Sequence, residues 1–234
     1  MSQPPKEYEG RIADVRDAAP GIRILHVALA GGEKLDFQAG QYVFLEAAAC
    51  APRAFSIASS PDEDMLEFHI RDSGGGFSAL AAEALRPGAA VTVKGPFGAN
   101  VWRSGGEPLL ALAGGIGIAP LRSILAAHLR APSPARARLY WGARDARQLY
   151  LHDYFLDLAK THPCFDYIPV LSDEKPADGF RAGLVADAVA ADFGDLSAFG
   201  IHMAGPMAMI EATLPVLLQK GAARDRIFSD AFSV

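Results

Sequence analysis

Over the first hundred residues, apolar and polar positions alternate in short runs at 9–16, 23–29, 42–46, 55–58, 66–71 and 90–94, with Gly or Pro between them. Alternation with a period of two marks strands with one buried and one wet face, and many such short strands predict a barrel or sandwich. One stretch breaks the rhythm. Residues 78–85 carry their apolar side chains on one helical face, begin at Ser78 and are stopped by Pro87-Gly88, so a short helix closing one end of the barrel is expected there.

Past Pro108 the rhythm changes. Apolar runs at 109–113, 138–141, 165–171 and 199–204 alternate with helix-period segments at 119–129, 151–160, 184–191 and 207–220. Strand and helix in alternation predict a parallel sheet covered by helices. The expected fold class is an N-terminal antiparallel β-barrel, residues 1–103, followed by a C-terminal α/β parallel-sheet domain, residues 107–234. Arg103-Ser104-Gly105-Gly106 reads as the linker.

Composition narrows the chemistry. A length of 234 residues suits two compact domains, and with half of the residues hydrophobic a sizeable core can be buried. A net charge of −5 argues against nucleic acid as a partner. The longest apolar stretch, 108–120, is too short to cross a bilayer, and residues 1–10 hold no basic segment followed by an apolar run. A cytoplasmic protein with no membrane partner is expected. Cys50 and Cys164 form neither a disulfide framework nor a CxxC pair, and two thiols cannot hold a common iron–sulfur cluster. No histidines stand four apart as on a zinc helix, so no metal site is expected, and the serine-elbow and Walker patterns are absent.

Two segments carry candidate chemistry. In the second half, the apolar run 109–113 leads into Gly114-Gly115-Ile116-Gly117-Ile118-Ala119-Pro120. Glycines let backbone approach a ligand closely, and a helix N-terminus offers free N–H groups to an anion, so this is a candidate diphosphate seat. Pro120 stands where the usual dinucleotide fingerprint has a third glycine, and a plain strand-to-helix turn fits the segment too. In the first half, Arg53-Ala54-Phe55-Ser56 places a cation, an aromatic ring and a hydroxyl on one short strand. Those groups suit a phosphate, a ring face and a polar edge of a flat cofactor, but they also suit a surface charge, a core ring and a turn.

Taken together, Phe37-Gln38-Ala39-Gly40-Gln41-Tyr42, Arg53-Ala54-Phe55-Ser56 and the Gly114–Pro120 segment resemble the paired signatures of the ferredoxin–NADP reductase superfamily of flavoproteins, over nearly the whole chain. Phe55 replaces the usual tyrosine of the Arg-x-Tyr-Ser motif. Tyr140-Trp141-Gly142-Ala143-Arg144, Gln148-Leu149-Tyr150 and Phe228-Ser229-Asp230-Ala231-Phe232 are similar to the two-domain bacterial NAD(P)H–flavin reductases and oxygenase-type FAD reductases. By this resemblance Arg53 pairs with the flavin phosphate, Phe55 packs on the flavin beside Ala54, and Ser56 bonds near its N5. His69, Ile70 and Arg71 belong to the strand that holds the ribityl chain through its backbone. Gly75, Gly76, Phe77 and Ser78 resemble the diphosphate clamp of members that retain FAD, which favours FAD over FMN. Gly114, Gly115, Gly117 and Pro120 form the nucleotide loop. Gly205, Pro206 and Met207 follow Ala204, which fills the family's cysteine position, and face the nicotinamide. Phe232 is the terminal aromatic at the flavin ring, and Asp230 a polar neighbour of its edge.

The resemblance implies an enzyme, a flavoprotein oxidoreductase in which NAD(P)H delivers hydride to bound FAD. The electrons pass on to free flavin or a ferredoxin. Ser172-Asp173-Glu174-Lys175, with its leading carboxylates, tilts the coenzyme toward NADH, although Arg144, Arg147 and Arg181 are candidate cations for the adenosine end. The alternatives are the reductase component of a multi-protein oxygenase and, from Ala204 and Phe55, a non-catalytic flavin- or nucleotide-binding module.

Overall fold

A computed structural model describes residues 5–47, 51–72, 84–103, 106–132, 134–173 and 178–233. The chain builds two six-stranded sheets. The first holds β1 (Lys6–Ala19), β2 (Ile22–Leu29), β3 (Tyr42–Ala47), β4 (Arg53–Ser56), β5 (Leu66–Arg71) and β6 (Ala90–Phe97) in the order β4-β3-β6-β1-β2-β5. All its pairings are antiparallel. A bridge between Ile57 and Phe68, just past β4, brings the two edges together and nearly closes the barrel. Its interior is filled by Ile12, Leu25, Val27, Val43, Leu45, Phe68 and Val93 among others, which are the inward positions of the alternating runs.

The second sheet holds β7 (Leu109–Gly114), β8 (Ala137–Ala143), β9 (Phe165–Leu171), β10 (Arg181–Ala182), β11 (Gly200–Ala204) and β12 (Ile227–Phe228), all parallel, in the order β10-β9-β8-β7-β11-β12. Its helices are α1 (Ile118–Leu129), α2 (His152–Thr161), α3 (Val185–Asp192) and α4 (Met207–Gln219). Parallel strands covered on both faces lose the wet side, and β7 shows it: Leu109, Ala111 and Ala113 enter the cluster under α1 and α2, while Leu110 and Leu112 enter the one under α3 and α4. The chain runs outward from β7 in one direction through β8 to β10, then crosses back to β11. The crevice at the C-terminal ends of β7 and β11 is thus a topological switch point, where such sheets bind ligands.

The barrel followed by a parallel sheet is the architecture expected from the sequence. Two elements differ. β10 and β12 are two residues each, too short to show a period. Most of the expected helix 78–85, and with it Gly75, Gly76, Phe77 and Ser78, lies outside the described residues, as do Cys50 and the Ser104-Gly105 part of the linker. Among the described residues, no helix is long and apolar enough to cross a membrane.

Past the end of the barrel, Asn100 enters the second sheet. The Nδ1–H of buried His202 on β11 donates to its Oδ1 at 2.7 Å, its own side-chain amide donates to the Met203 carbonyl, and Phe228 stacks on the imidazole at 5.0 Å. Burial, reinforced by Arg103 and His128, holds the His202 imidazole down at about 3. The unfolded chain takes up that proton near pH 6.5, whereas the fold resists it until about 3, so the contribution to stability is complete above pH 6.5 and is lost as pH falls through this window. The thermal midpoint should therefore fall between pH 6.5 and pH 4, and His202→Gln, which keeps a donor but cannot titrate, should flatten part of that slope; parallel slopes would contradict it.

Candidate active site

The site begins where β7 stops being able to continue. After Ala113 the chain turns through Gly114 and the 3-10 turn Gly115–Gly117 into α1, whose first turn has no side-chain cap. The Ile118 N–H closes the turn onto the Gly115 and Ile116 carbonyls and Pro120 has no N–H, so an anion at this crossing would meet mainly the backbone of the glycine loop ahead of the helix. Two positions demand glycine. Gly115 has φ +52°, and a methyl there would meet the Arg71 guanidinium at 2.8 Å; a methyl on Gly117 would overlap the carbonyl of Ala204 on the neighbouring β11. The loops that follow β7 and β11 are pressed together at the switch point.

Two cavities open at this crossing. The smaller, about 520 Å³, has one wall from the barrel (Ala54, Phe55 and Ser56 of β4, His69 and Arg71 of β5) and the other from Gly114 to Gly117, Ala119, Pro120 and the chain from Met203 to Pro206. Asn100, Ser229, Asp230 and Ala231 complete it. The larger, about 750 Å³, runs outward over the sheet between Arg144, Asp145, Arg147 and Ser172 on one side and Met209 and Thr213 of α4 on the other. Both volumes suit a cofactor-sized ligand, since ligand pockets measure roughly 300–1,000 Å³. They share Arg71, Gly114, Gly115 and Pro206 as common walls.

The seam between the domains is polar and centred on β5. Leu66, Phe68 and Ile70 point into the barrel, so the alternate residues Glu67, His69 and Arg71 face the second domain. Buried Glu67 lies 3.6 Å from the Arg122 guanidinium of α1 and accepts from His69 Nε2 at 2.7 Å and His26 Nε2 at 3.1 Å. Burial alone would raise the Glu67 carboxyl, but His69 and Arg122 outweigh it and hold it down at about 2. Burial pushes His69 the other way, toward the neutral ring, even against Glu67. With Nε2–H given to Glu67, the Nδ1 of the neutral ring accepts from the Tyr150 hydroxyl at 2.8 Å. Elsewhere along the seam, α1 donates from Arg122 to the Ala58 carbonyl and from Ser123 to the Ser59 carbonyl, and Arg130 just past its end donates to the Ser60 hydroxyl, at 2.6–2.7 Å.

Most candidates from the sequence converge. Ala54, Phe55, Ser56, His69, Arg71, Gly114, Gly115, Gly117, Pro120, Gly205 and Pro206 all line the smaller cavity, as does Asp230, which accepts from the Ala99 and Asn100 amides at 3.3 Å. Burial pushes the Asp230 carboxyl up against the pull of those amides. Arg53 is exposed at the outer end of β4, and Ile70 points into the barrel core, leaving only its backbone for the cavity side. Two candidates lie away from the smaller cavity. Phe232 does not face the smaller cavity, because its ring packs on the core under α3 and α4 with the Arg224 guanidinium 4.2 Å above it. Met207 is exposed at the start of α4, and Ala208 and Met209 line the larger cavity in its stead.

Asn100, Glu67 and Arg122 were missed, and Ser229 and Tyr150, which fall in segments that carry the resemblance, were given no role. For Glu67 a signal existed: three polar side chains alternate with three apolar ones through 66–71. The opposite face of a barrel strand is polar whether it meets water or another domain, so alternation alone does not separate the two.

Residues 9–102 match the family of oxidoreductase FAD-binding domains and residues 111–214 the family of oxidoreductase NAD-binding domains. Fold and site together define a two-domain, NAD(P)H-dependent FAD oxidoreductase. The chain is 31% identical to the ferredoxin–NAD(P)(+) reductase component of the naphthalene 1,2-dioxygenase system of Pseudomonas putida, over 99% of this chain and 71% of that protein. It is 34% identical to the reductase component of phenol 2-monooxygenase of Pseudomonas sp. (strain CF600), over 99% of this chain and 67% of that one. Among solved structures, a cytochrome P450 reductase of Amycolatopsis superposes with a TM-score of 0.90 at 33% identity, covering 98% of this chain and 71% of that chain. The chain belongs to the ferredoxin–NADP reductase superfamily of flavoproteins.

Gly117 offers a direct check of the crossing. Gly117→Ala must push β11 away from the loop that follows β7, and overpacking of this kind costs about 1–3 kcal/mol. A lowered thermal midpoint is expected together with weakened NAD(+) binding by calorimetry; a variant that binds NAD(+) like the wild type would refute the crowding.

Proposed function

We propose that the smaller cavity holds the flavin ring with the nicotinamide end of the coenzyme against it, that the larger holds the rest of the nucleotide, and that the electrons leave to a separate protein, a ferredoxin or oxygenase component. The observation that carries the reading is the common wall of Arg71, Gly114, Gly115 and Pro206, since two ligands filling these cavities must meet there. When bound, FAD accepts hydride from the coenzyme and releases electrons onward. The chain supplies alignment, an effect worth several kcal/mol in well-oriented reactions. In this reading Ser56 on the cavity wall bonds the flavin edge near N5, Phe55 packs beside it, and Arg53 at the outer end of β4 meets the phosphate. Gly114 to Gly117 and the start of α1 seat the coenzyme diphosphate.

The protein acceptor is favoured over free flavin because the relatives named above are reductase components of oxygenase systems. Domain limits of 1–103 and 107–234 and a cytoplasmic location belong to the same proposal. NADH is the favoured coenzyme. Arg144 and Arg147 line the larger cavity, yet each is held by a carboxylate, Asp173 at 4.0 Å and Asp145 at 3.2 Å, while Arg181 is bound to Asp192. A 2′-phosphate entering there meets negative charge as well as positive.

Anaerobic mixing tests this. NADH should bleach the bound flavin, with NADPH at least about tenfold slower, a difference of about 1.4 kcal/mol. Ser56→Ala should slow bleaching with flavin retained, and Arg53→Ala should release flavin on gel filtration. Equal rates with both coenzymes would overturn the preference, and unchanged reduction and retention in both variants would remove the flavin assignment.

A further inference from the structure

We propose that Tyr150 and His69 form a positioning pair, in which the Tyr150 hydroxyl, held by His69 across the domain seam, fixes the nucleotide loop 114–117 at its working height over the smaller cavity. This rests on the reading of that cavity as the flavin site. Neither residue belongs to the loop, and Tyr150 lines neither cavity.

The chain of contacts is continuous. Glu67, fixed by Arg122, takes the Nε2–H of His69, which leaves Nδ1 as an acceptor for Tyr150. Burial drives the Tyr150 phenol well above its usual range, so it remains an O–H donor throughout the working pH range. The Tyr150 ring meets the indole of fully buried Trp141 edge-on at 5.3 Å, and the Trp141 Nε1–H donates to the Gly115 carbonyl at 2.8 Å. One end of the chain therefore stands on a barrel strand lining the smaller cavity, and the other holds the backbone of the loop opposite. The seam bonds from Arg122, Ser123 and Arg130 to residues 58–60, 62 and 63 hold the body and end of α1 and not the loop ahead of it. They also keep the domains docked without the Tyr150 hydroxyl, so Tyr150→Phe should fold.

Among the described residues no buried side-chain nitrogen or oxygen lacks a partner. Removing the hydroxyl would leave His69 Nδ1 as an unmatched acceptor, and the ring that supports Trp141 would lose its tether. Looseness in the loop then becomes misalignment of the coenzyme, and an ångström of misplacement can cost about a hundredfold in rate.

The test compares wild type with Tyr150→Phe, both loaded with FAD. In anaerobic single turnover at saturating NADH, flavin reduction should slow on the order of tenfold, while the dissociation constant for NADH changes less than about twofold. In the FAD-free proteins, the backbone amides of 114–118 should exchange with deuterium faster in the variant, with the barrel strands unchanged. In a His69→Gln background, Tyr150→Phe should add little further loss, because the hydroxyl acts through His69. Equal reduction rates, or unchanged exchange at 114–118, would overturn the proposal. A wild type that NADH never bleaches would instead remove the functional reading, and the exchange measurement would still decide the pair.

Discussion

A buried carboxylate on a barrel strand, paired with a guanidinium on the first helix of the second domain, is the tie on which both cavities depend. Glu67 and Arg122 are mostly removed from water, and such a pair gains little net stability because desolvation offsets attraction. Its effect is geometric. Leaving either charge buried without the other is costly, so only dockings that bring β5 against α1 are tolerated. Hydrogen bonds from α1, and from Arg130 just past its end, to Ala58, Ser59 and Ser60 add direction, where an apolar seam would permit sliding.

The second constraint is the meeting of two strand ends. β7 and β11 are neighbours in the parallel sheet, and the turns that follow them bring Gly117 against the Ala204 carbonyl. That leaves no room for side chains and presents bare backbone to whatever lies between barrel and sheet. The barrel contributes the opposite: β4 and β5 bring aromatic, hydroxyl, imidazole and guanidinium groups to the same gap. One wall is therefore chemically varied and the other nearly all main chain.

The sequence reveals what local periodicity controls. The unbroken apolar run through β7, the alternation in β2 and β5, and the glycines before α1 each follow from nearest-neighbour physics, and the elements fall where those patterns lie. The Arg53-Ala54-Phe55-Ser56 segment is readable because an unusual mixture stands on a short strand. What fails is anything decided by tertiary partners. The place of Phe232 is such a case, for its ring packs partly on the core of the second domain under Arg224. Tyr150 falls in a segment similar to the flavin reductases, but nothing local names its partner, because His69 is 81 residues away. Strands of two residues, such as β10 and β12, exist only because a longer neighbour extends a ladder to them.

The larger cavity also separates two kinds of work along its length. The end shared with the smaller cavity is crowded, with Gly114 and Gly115 pressed by Arg71, Pro206 and Met209, whereas the far end is walled by Arg144, Asp145, Arg147 and Ser172, side chains at the surface or half-buried. With the coenzyme placed as proposed, the choice between its two forms can drift in evolution by single exchanges at the rim, leaving the shared wall untouched.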